Sequence, residues 1–198
     1  MTGDLVAALR RWEHLLAEAG AAIIPIMRPG LPESHVRSVL AELGLASSGE
    51  IIEWFGWHDG AHSDGVSRLA VEIVPGGEFN TLTNLSGWCV QQRGLQRQLV
   101  RQHSETADFF ERRWRSTWFP LLRMDKGDLV VELADDQFDS GALRVVWFDA
   151  DPEESARIAW PSIHAFVEDV ISRLESGEYW VDGQGIVQGD VIDFPTHG

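Results

Sequence analysis

The sequence predicts an α+β fold in which N-terminal helices and one C-terminal helix pack on a largely antiparallel sheet. Helical apolar patterns occupy the first third of the chain, strand patterns cluster in the second half, and one further helix follows them. Strands and helices do not alternate regularly, as they would in a parallel α/β fold. The chain has 198 residues, so we expect a single domain that spans residues 1–198.

Three helices are predicted before the first strand of the sheet. Residues 4–19 and 33–43 carry apolar side chains every three or four positions, as on one face of a helix. The Ser47-Ser48-Gly49 loop offers an N-cap for a third helix, which contains Trp54-Phe55. That helix leads into His58-Asp59-Gly60, where Asp and Gly favour a turn.

Four strands are predicted from apolar runs and alternation. The first covers residues 69–74, and the others cover residues 118–123, 128–134 and 143–148. The segment Met124-Asp125-Lys126-Gly127 is short enough for a tight turn. Strands joined by so short a link pair antiparallel.

The remaining segments differ in the clarity of their patterns. Residues 88–114 show a weak helical pattern without clear boundaries. The last helix has the clearest signals, with Ser162 as N-cap, an apolar stripe and Gly177 at its end. Residues 179–198 contain several glycines and predict short strands and turns.

The charge of the chain bears on its partners. Sixteen basic and 31 acidic residues give a formal net charge of −15, which repels nucleic acid and anionic membranes and attracts basic proteins. Net charge also serves solubility in general. The charge is uneven: residues 93–115 hold six Arg and three acidic residues, whereas residues 123–157 hold ten acidic and four basic residues.

Cysteine content and the N-terminus indicate a cytoplasmic protein. Cys89 is the only cysteine, so no intramolecular disulfide can form, and we expect a buried thiol in a reducing compartment. The first residues lack the basic and apolar regions of a signal peptide. No apolar run reaches the roughly 18 residues that a membrane-spanning helix needs.

One cluster of side chains suggests a metal site. His58, Asp59, His62 and Asp64 supply four possible ligands within seven residues, and the two histidines are separated by four positions. A metal-dependent hydrolase centred on these residues is one hypothesis, and a polar turn after a helix is the other. Nucleophile and phosphate-binding motifs are missing from the sequence, so we assign no catalytic residue and no cofactor.

Two segments together resemble the SUKH superfamily, which includes the yeast cell-wall-assembly regulators and many bacterial immunity proteins. In residues 32–60, one helix ends in Glu42-Leu43-Gly44-Leu45, and a second contains Trp54-Phe55 and closes on His58-Asp59-Gly60. Residues 118–182 contain a second set of similar motifs, in the same order as in the family. These are Trp118-Phe119-Pro120-Leu121, Gly127-Asp128, the Gly141 turn, Ala159-Trp160-Pro161-Ser162 and Glu175-Ser176-Gly177.

The resemblance has limits within the chain. Residues 32–182 match best, residues 1–31 form an N-terminal helix and extended segment, and residues 183–198 form a tail. Where the family usually has Leu-Pro, this sequence has Leu45-Ala46-Ser47-Ser48. Residues 76–116 contain no matching motif.

The resemblance implies a protein-binding module without a catalytic centre. Many bacterial relatives are antidotes that bind and neutralise a toxin, often a nuclease, and eukaryotic relatives act as regulatory scaffolds. We therefore expect an acidic surface that covers the active site of a basic toxin domain, and we make no prediction of the oligomeric state. The carboxylates predicted to contact this partner belong to Asp135, Asp136, Asp139, Asp149, Asp151, Glu153 and Glu154.

Overall fold

The computed structural model describes residues 4–62, 68–103, 114–124, 127–133, 141–147 and 157–190. These residues form α-helices and an antiparallel sheet, which confirms the predicted α+β class. The helices are α1 (Asp4–Glu18), α2 (Glu33–Glu42), α3 (Gly49–Trp57), α4 (Leu82–Gln102) and α5 (Ile163–Ser176). None of the helices in these ranges is both long and apolar enough to cross a lipid bilayer.

Local hydrogen bonds explain where the helices begin and end. The Ser48 side chain accepts the backbone N–H of Ile51 at 3.3 Å, and the Ser162 side chain accepts that of Ala165 at 3.0 Å. Each bond satisfies an N–H group that has no partner within the helix. Gly177 ends α5 with a φ of +81°, a conformation that costs little in glycine. The predicted caps of these two helices are confirmed.

Within the described residues, nine strands form one sheet and two small ribbons. The strands are β1 (Met27–Pro29), β2 (His58–Ala61), β3 (Glu72–Val74), β4 (Gly77–Glu78), β5 (Trp118–Arg123), β6 (Gly127–Glu132), β7 (Leu143–Trp147), β8 (Trp180–Val181) and β9 (Val187–Gln188). The sheet has the order β3-β4-β5-β6-β7, and all its pairs are antiparallel. The predicted β5–β6 hairpin is confirmed. Strands β1 and β2 pair in one ribbon, and β8 and β9 pair in the other.

The turn predicted at His58-Asp59-Gly60 is wrong, since these residues belong to β2. Met27 pairs with Ala61 in the β1–β2 ribbon, a pairing between distant segments that a local pattern does not reveal. Gly60 has a φ of +69°, and a Cβ at this position would lie 2.5 Å from the carbonyl carbon of Asn80. The glycine therefore allows close backbone approach within a strand.

The main core lies on one face of the sheet and contains buried side chains from all five described helices. Trp12 of α1 contacts Trp54 of α3 and Phe166 of α5, with ring centroids 6.2 Å apart in both pairs. Phe55 of α3 meets Phe119 of β5 at the same centroid distance. All these rings are fully buried, so the aromatic residues of the helices join α1, α3 and α5 to the sheet.

The other face of the sheet, which we call the second face, is also buried. Trp118, Val130 and Val146 form a small apolar cluster with Trp114, separate from the main core. Charged side chains share this buried region, and they belong to Asp128, Glu132 and Arg144. Strand residues alternate between the two faces, so β5, β6 and β7 are covered on both.

Strand β4 pairs with β5, and further segments lie beside β5 and β7. Helix α4 packs on β5, and the Cys89 thiol lies 3.7 Å from the backbone oxygen of Trp118. Cys89 is fully buried, as predicted, and burial raises the pKa of its thiol. At the β7 edge, Leu143 donates its N–H to Trp160 and accepts the N–H of Ala159, both at 2.8 Å.

Candidate partner-binding surface

The acidic residues predicted to contact a partner lie outside the described ranges. Asp135, Asp136 and Asp139 fall in residues 134–140, and Asp149, Asp151, Glu153 and Glu154 fall in residues 148–156. Their assignment to a partner surface stays a prediction. The described residues nevertheless contain a different acidic surface with an exposed aromatic ring.

That surface is centred on Trp180 in the β8–β9 ribbon. Five large apolar residues in the described ranges are exposed to solvent. Trp180 is the aromatic one among them, and 53% of its surface is exposed. An exposed Trp is unusual in a folded chain, because large rings normally bury most of their area. Exposed Trp rings are also frequent anchors of protein interfaces.

A tight turn joins β8 to β9. The Asp182 side chain accepts the backbone N–H groups of Gln184 at 2.8 Å and Ile186 at 3.0 Å. These hydrogen bonds favour the charged carboxylate and lower the pKa of Asp182 below its ordinary value. Gly185 supplies the left-handed conformation of the turn, with a φ of +80°.

Alternation along β8 separates a buried side from an exposed one. Tyr179 is buried. Val187 of β9, which lies on the same side of the ribbon, is also buried. Trp180 lies on the opposite side, where it pairs with Gln188. Gln188 donates to Asp182 at 3.0 Å, which holds this carboxylate beside the exposed side of the ribbon.

The ribbon is fixed against the rest of the fold. The Gly185 oxygen accepts the N–H of Ala22 at 2.8 Å, and a Cβ on Gly185 would lie at the same distance from that nitrogen. A Cβ on Gly189 would lie 2.4 Å from the Tyr179 ring. Because both glycines permit close packing, Trp180 projects from a rigid platform.

The sequence around Trp180 is acidic. Residues 163–190 contain six acidic residues and a single Arg. That residue, Arg173, forms ion pairs with Asp169 at 3.0 Å and Glu178 at 3.5 Å, and its guanidinium lies 5.5 Å from the Tyr179 ring centroid. The exposed ring and the acidic side chains Glu178 and Asp182 together define what we call the Trp180 surface.

Sequence patterns did not identify this surface. The tail was expected to form short strands and turns, which the described residues up to 190 confirm, but the sequence did not indicate which aromatic residues are exposed. The structure turns Tyr179 inward and Trp180 outward. The polar residues Glu178 and Asp182, two positions before and after Trp180, were the available signal for an exposed side.

The predicted metal ligands make other contacts. Asp59 Oδ1 accepts the N–H of Leu82 at the start of α4 at 2.8 Å, and its Oδ2 lies 3.4 Å from Arg28 Nε. His58 Nδ1 bonds to the backbone oxygen of Arg28 at 2.7 Å, and His62 is exposed. Asp64 lies outside the described residues. Within the described ranges, no group of three or more His, Cys, Asp or Glu side chains is arranged to hold a metal ion.

Two comparisons with known proteins, one with family models and one with curated proteins, bear on this chain. No family model matches it, and a search of curated proteins finds no match. The role of each residue must therefore be argued from its own contacts and exposure. The SUKH resemblance stays a hypothesis that rests on the motifs in residues 32–60 and 118–182.

Proposed function

We propose that this protein is a binding module that recognises a basic partner protein through the Trp180 surface. The observation that carries the proposal is an exposed Trp on a rigid ribbon with carboxylates beside it. A large rigid ring loses little conformational entropy on binding and can fill a partner's pocket. Carboxylates around it would steer a basic partner and pair with its Arg or Lys side chains.

The resemblance to the SUKH superfamily supports a specific form of this function. An immunity-type antidote would bind a toxin, often a basic nuclease domain, and cover its active site. Carboxylates of the antidote could occupy positions that substrate phosphates otherwise take. The net charge of −15 favours such an encounter. A regulatory scaffold of the cell-wall-assembly-regulator type is the alternative form of this function.

The contacts of His58 and Asp59 favour a structural role over the metal-dependent hydrolase hypothesis. Asp59 links β2 to the start of α4, and His58 links β2 to β1. The remaining atoms of these side chains also have partners, because His58 Nε2 lies 3.4 Å from Glu13 and Asp59 Oδ2 lies 3.4 Å from Arg28, so a metal would have to compete with two ion pairs. The cytoplasmic location is part of the same proposal, because an antidote must meet its toxin inside the cell.

A native pull-down at low and high salt tests the proposed function. We expect the wild-type protein to retain a basic protein at low salt and to release most of it at high salt, because screening weakens exposed charge pairs. Trp180→Ala should abolish retention. Leu69→Ala is the matched control, since Leu69 is similarly exposed at 51% but is not part of the Trp180 surface.

Three outcomes would contradict the proposal. The first is equal retention by wild type and Trp180→Ala, and the second is loss of retention in both variants. Recovery of an acidic protein, or of no protein, is the third. Circular dichroism of both variants shows whether the fold is intact.

A further inference from the structure

The second half of α4 is an exposed helical surface that the proposed function does not use. Cys89 is the last buried residue of α4, and none of the residues 90–102 is buried. Val90 and Leu95 are 53% and 48% exposed. A surface helix normally buries one apolar face along its whole length, so this half lacks the packing that the first half has.

This half of α4 is basic on a strongly acidic protein. The helix Leu82–Gln102 contains three Arg and no Asp or Glu. Arg97 and Arg101 are exposed and lie on successive turns of the same helix face. Arg93 has a structural role, because its guanidinium donates to the backbone oxygens of Leu43 and Ser116.

Two adjoining grooves follow this part of the helix. One, of about 390 Å³, lies between α2 and α4, with Leu43 and Val90 in its lining. The other, of about 480 Å³, is lined by Gly94, Arg101 and neighbouring Gln side chains. Arg97 lines both, so they adjoin along α4, and we call the two together the α4 groove.

Gly94 lines the α4 groove, and neither its backbone conformation nor its packing within the protein requires glycine. No heavy atom lies within 4 Å of the position that its Cβ would occupy, and its φ is not in the left-handed region. Glycine in a helix interior costs about 1 kcal/mol relative to alanine. An absent side chain at this position leaves space for the backbone of a bound segment.

We propose that the α4 groove binds an acidic segment of a partner protein that also carries apolar side chains. Carboxylates of the segment pair with Arg97 and Arg101, an apolar side chain packs on Val90 and Leu43, and its backbone passes over Gly94. Arg guanidinium groups bind carboxylates in a bidentate geometry. Charge complementarity favours this occupant over a nucleic acid, because Glu42 lines the groove and the rest of the chain repels a phosphate backbone.

Binding of a fluorescein-labelled peptide of Glu and Leu residues, measured by fluorescence anisotropy at low and high salt, tests the proposal. Wild type should bind the peptide at low salt and more weakly at high salt. The double variant Arg97→Glu, Arg101→Glu should bind at least tenfold more weakly. Trp180→Ala should bind the peptide like wild type, so this test is independent of the Trp180 surface.

Gly94→Ala separates a binding role from a structural one. It should raise the melting temperature, because alanine favours the helix, and yet weaken peptide binding. Gly87→Ala is the matched control: Gly87 lies in the same helix with equally open space at its Cβ, but it lines neither groove. It should raise the melting temperature and leave binding unchanged.

Several outcomes would overturn the proposal. They are absence of peptide binding at low salt, equal binding by the charge-reversed variant, and equal effects of the two alanine variants on binding. Tighter binding of a single-stranded oligonucleotide of the same charge would assign the groove to nucleic acid instead. Salt-sensitive dimers that the charge-reversed variant does not form would assign it to a second copy of the chain.

Discussion

The indole N–H of Trp88 donates to a carboxylate oxygen of Asp128 across the contact between α4 and β6, with a distance of 2.8 Å. Asp128 is fully buried on the second face of the sheet, and among the described residues its Oδ1 has no hydrogen-bond partner. The guanidinium of Arg123 lies 3.9 Å from the centroid of the Trp88 ring. Burial raises the pKa of Asp128 to about 7, although the Trp88 hydrogen bond and the charge of Arg123 act in the opposite direction.

Asp128 is expected to make the stability of the fold depend on pH. Between its ordinary pKa of 3.8 and about 7, the folded state holds a proton that the unfolded state has lost, so stability falls as pH rises through this window. Asp128→Asn should remove this contribution. The variant should gain about 2–4 kcal/mol over wild type as pH rises from 4 to 8.

Urea denaturation of both proteins at several pH values measures this difference. The difference in unfolding free energy between the two proteins cancels the titration of groups that both contain. One of these is Glu78, whose charge also raises the Asp128 pKa. A difference that stays constant with pH would show that Asp128 is charged throughout the range.

Glu132 is expected to be essential for stability. Its Oε2 accepts the indole N–H of Trp118 at 2.9 Å and lies 3.8 Å from Arg144 Nε, and both Glu132 and Arg144 are buried. Glu132→Ala removes the carboxylate that balances the buried Arg144 charge, and it should cost about 3–5 kcal/mol. Chemical denaturation checks this value. Glu168→Ala, at an exposed position, should change stability by less than about 0.5 kcal/mol.

The glycines of the β8–β9 turn should differ in their tolerance of alanine. Gly185→Ala should cost about 1–3 kcal/mol, because its φ is +80° and a Cβ would meet the Ala22 backbone. Gly183→Ala should have little effect, since nothing lies within 4 Å of its Cβ and its φ is not in the left-handed region. Thermal melting of the two variants tests the contrast. Equal melting temperatures would mean that the turn does not hold Trp180 in a fixed position.

Two residues from different segments should stabilise the start of α5 to a similar extent. The Ser162 side chain accepts the N–H of Ala165, and Glu50 of α3 accepts the N–H of Ile163 at 2.8 Å. Ser162→Ala and Glu50→Ala should each cost about 1 kcal/mol. Denaturation of the single and double variants measures both effects. If Glu50→Ala costs nothing, water can replace the contact between α3 and α5.

Elements with local signals could be predicted from the sequence. The starts of α3 and α5 depend on a serine directly before each helix that accepts the N–H three residues further along, and the β5–β6 hairpin depends on a short link in the sequence. Helix α4 was predicted only as a weak pattern, because its second half has no buried face to produce a helical period. The β1–β2 ribbon was not predicted, because it joins distant segments through few residues.

The candidate site was harder to predict than the fold. Composition predicts a basic partner, but exposure of a particular ring depends on how a two-residue strand is oriented. Trp180 and Tyr179 are adjacent in the sequence, and only the packing of Gly185 and Gly189 determines which of them faces the core. The open space at Gly94 is likewise a property of the surroundings and not of the helix sequence.

Segments that already pair with β5 and β7 restrict how a partner can be recognised there. Strand β4 pairs with β5, and the backbone of Leu143 in β7 bonds to Ala159 and Trp160. An incoming peptide could not extend the sheet at these positions by main-chain pairing without displacing those segments. Selectivity would then depend on side-chain identity, so single substitutions could redirect the protein to a new partner while the fold stays the same.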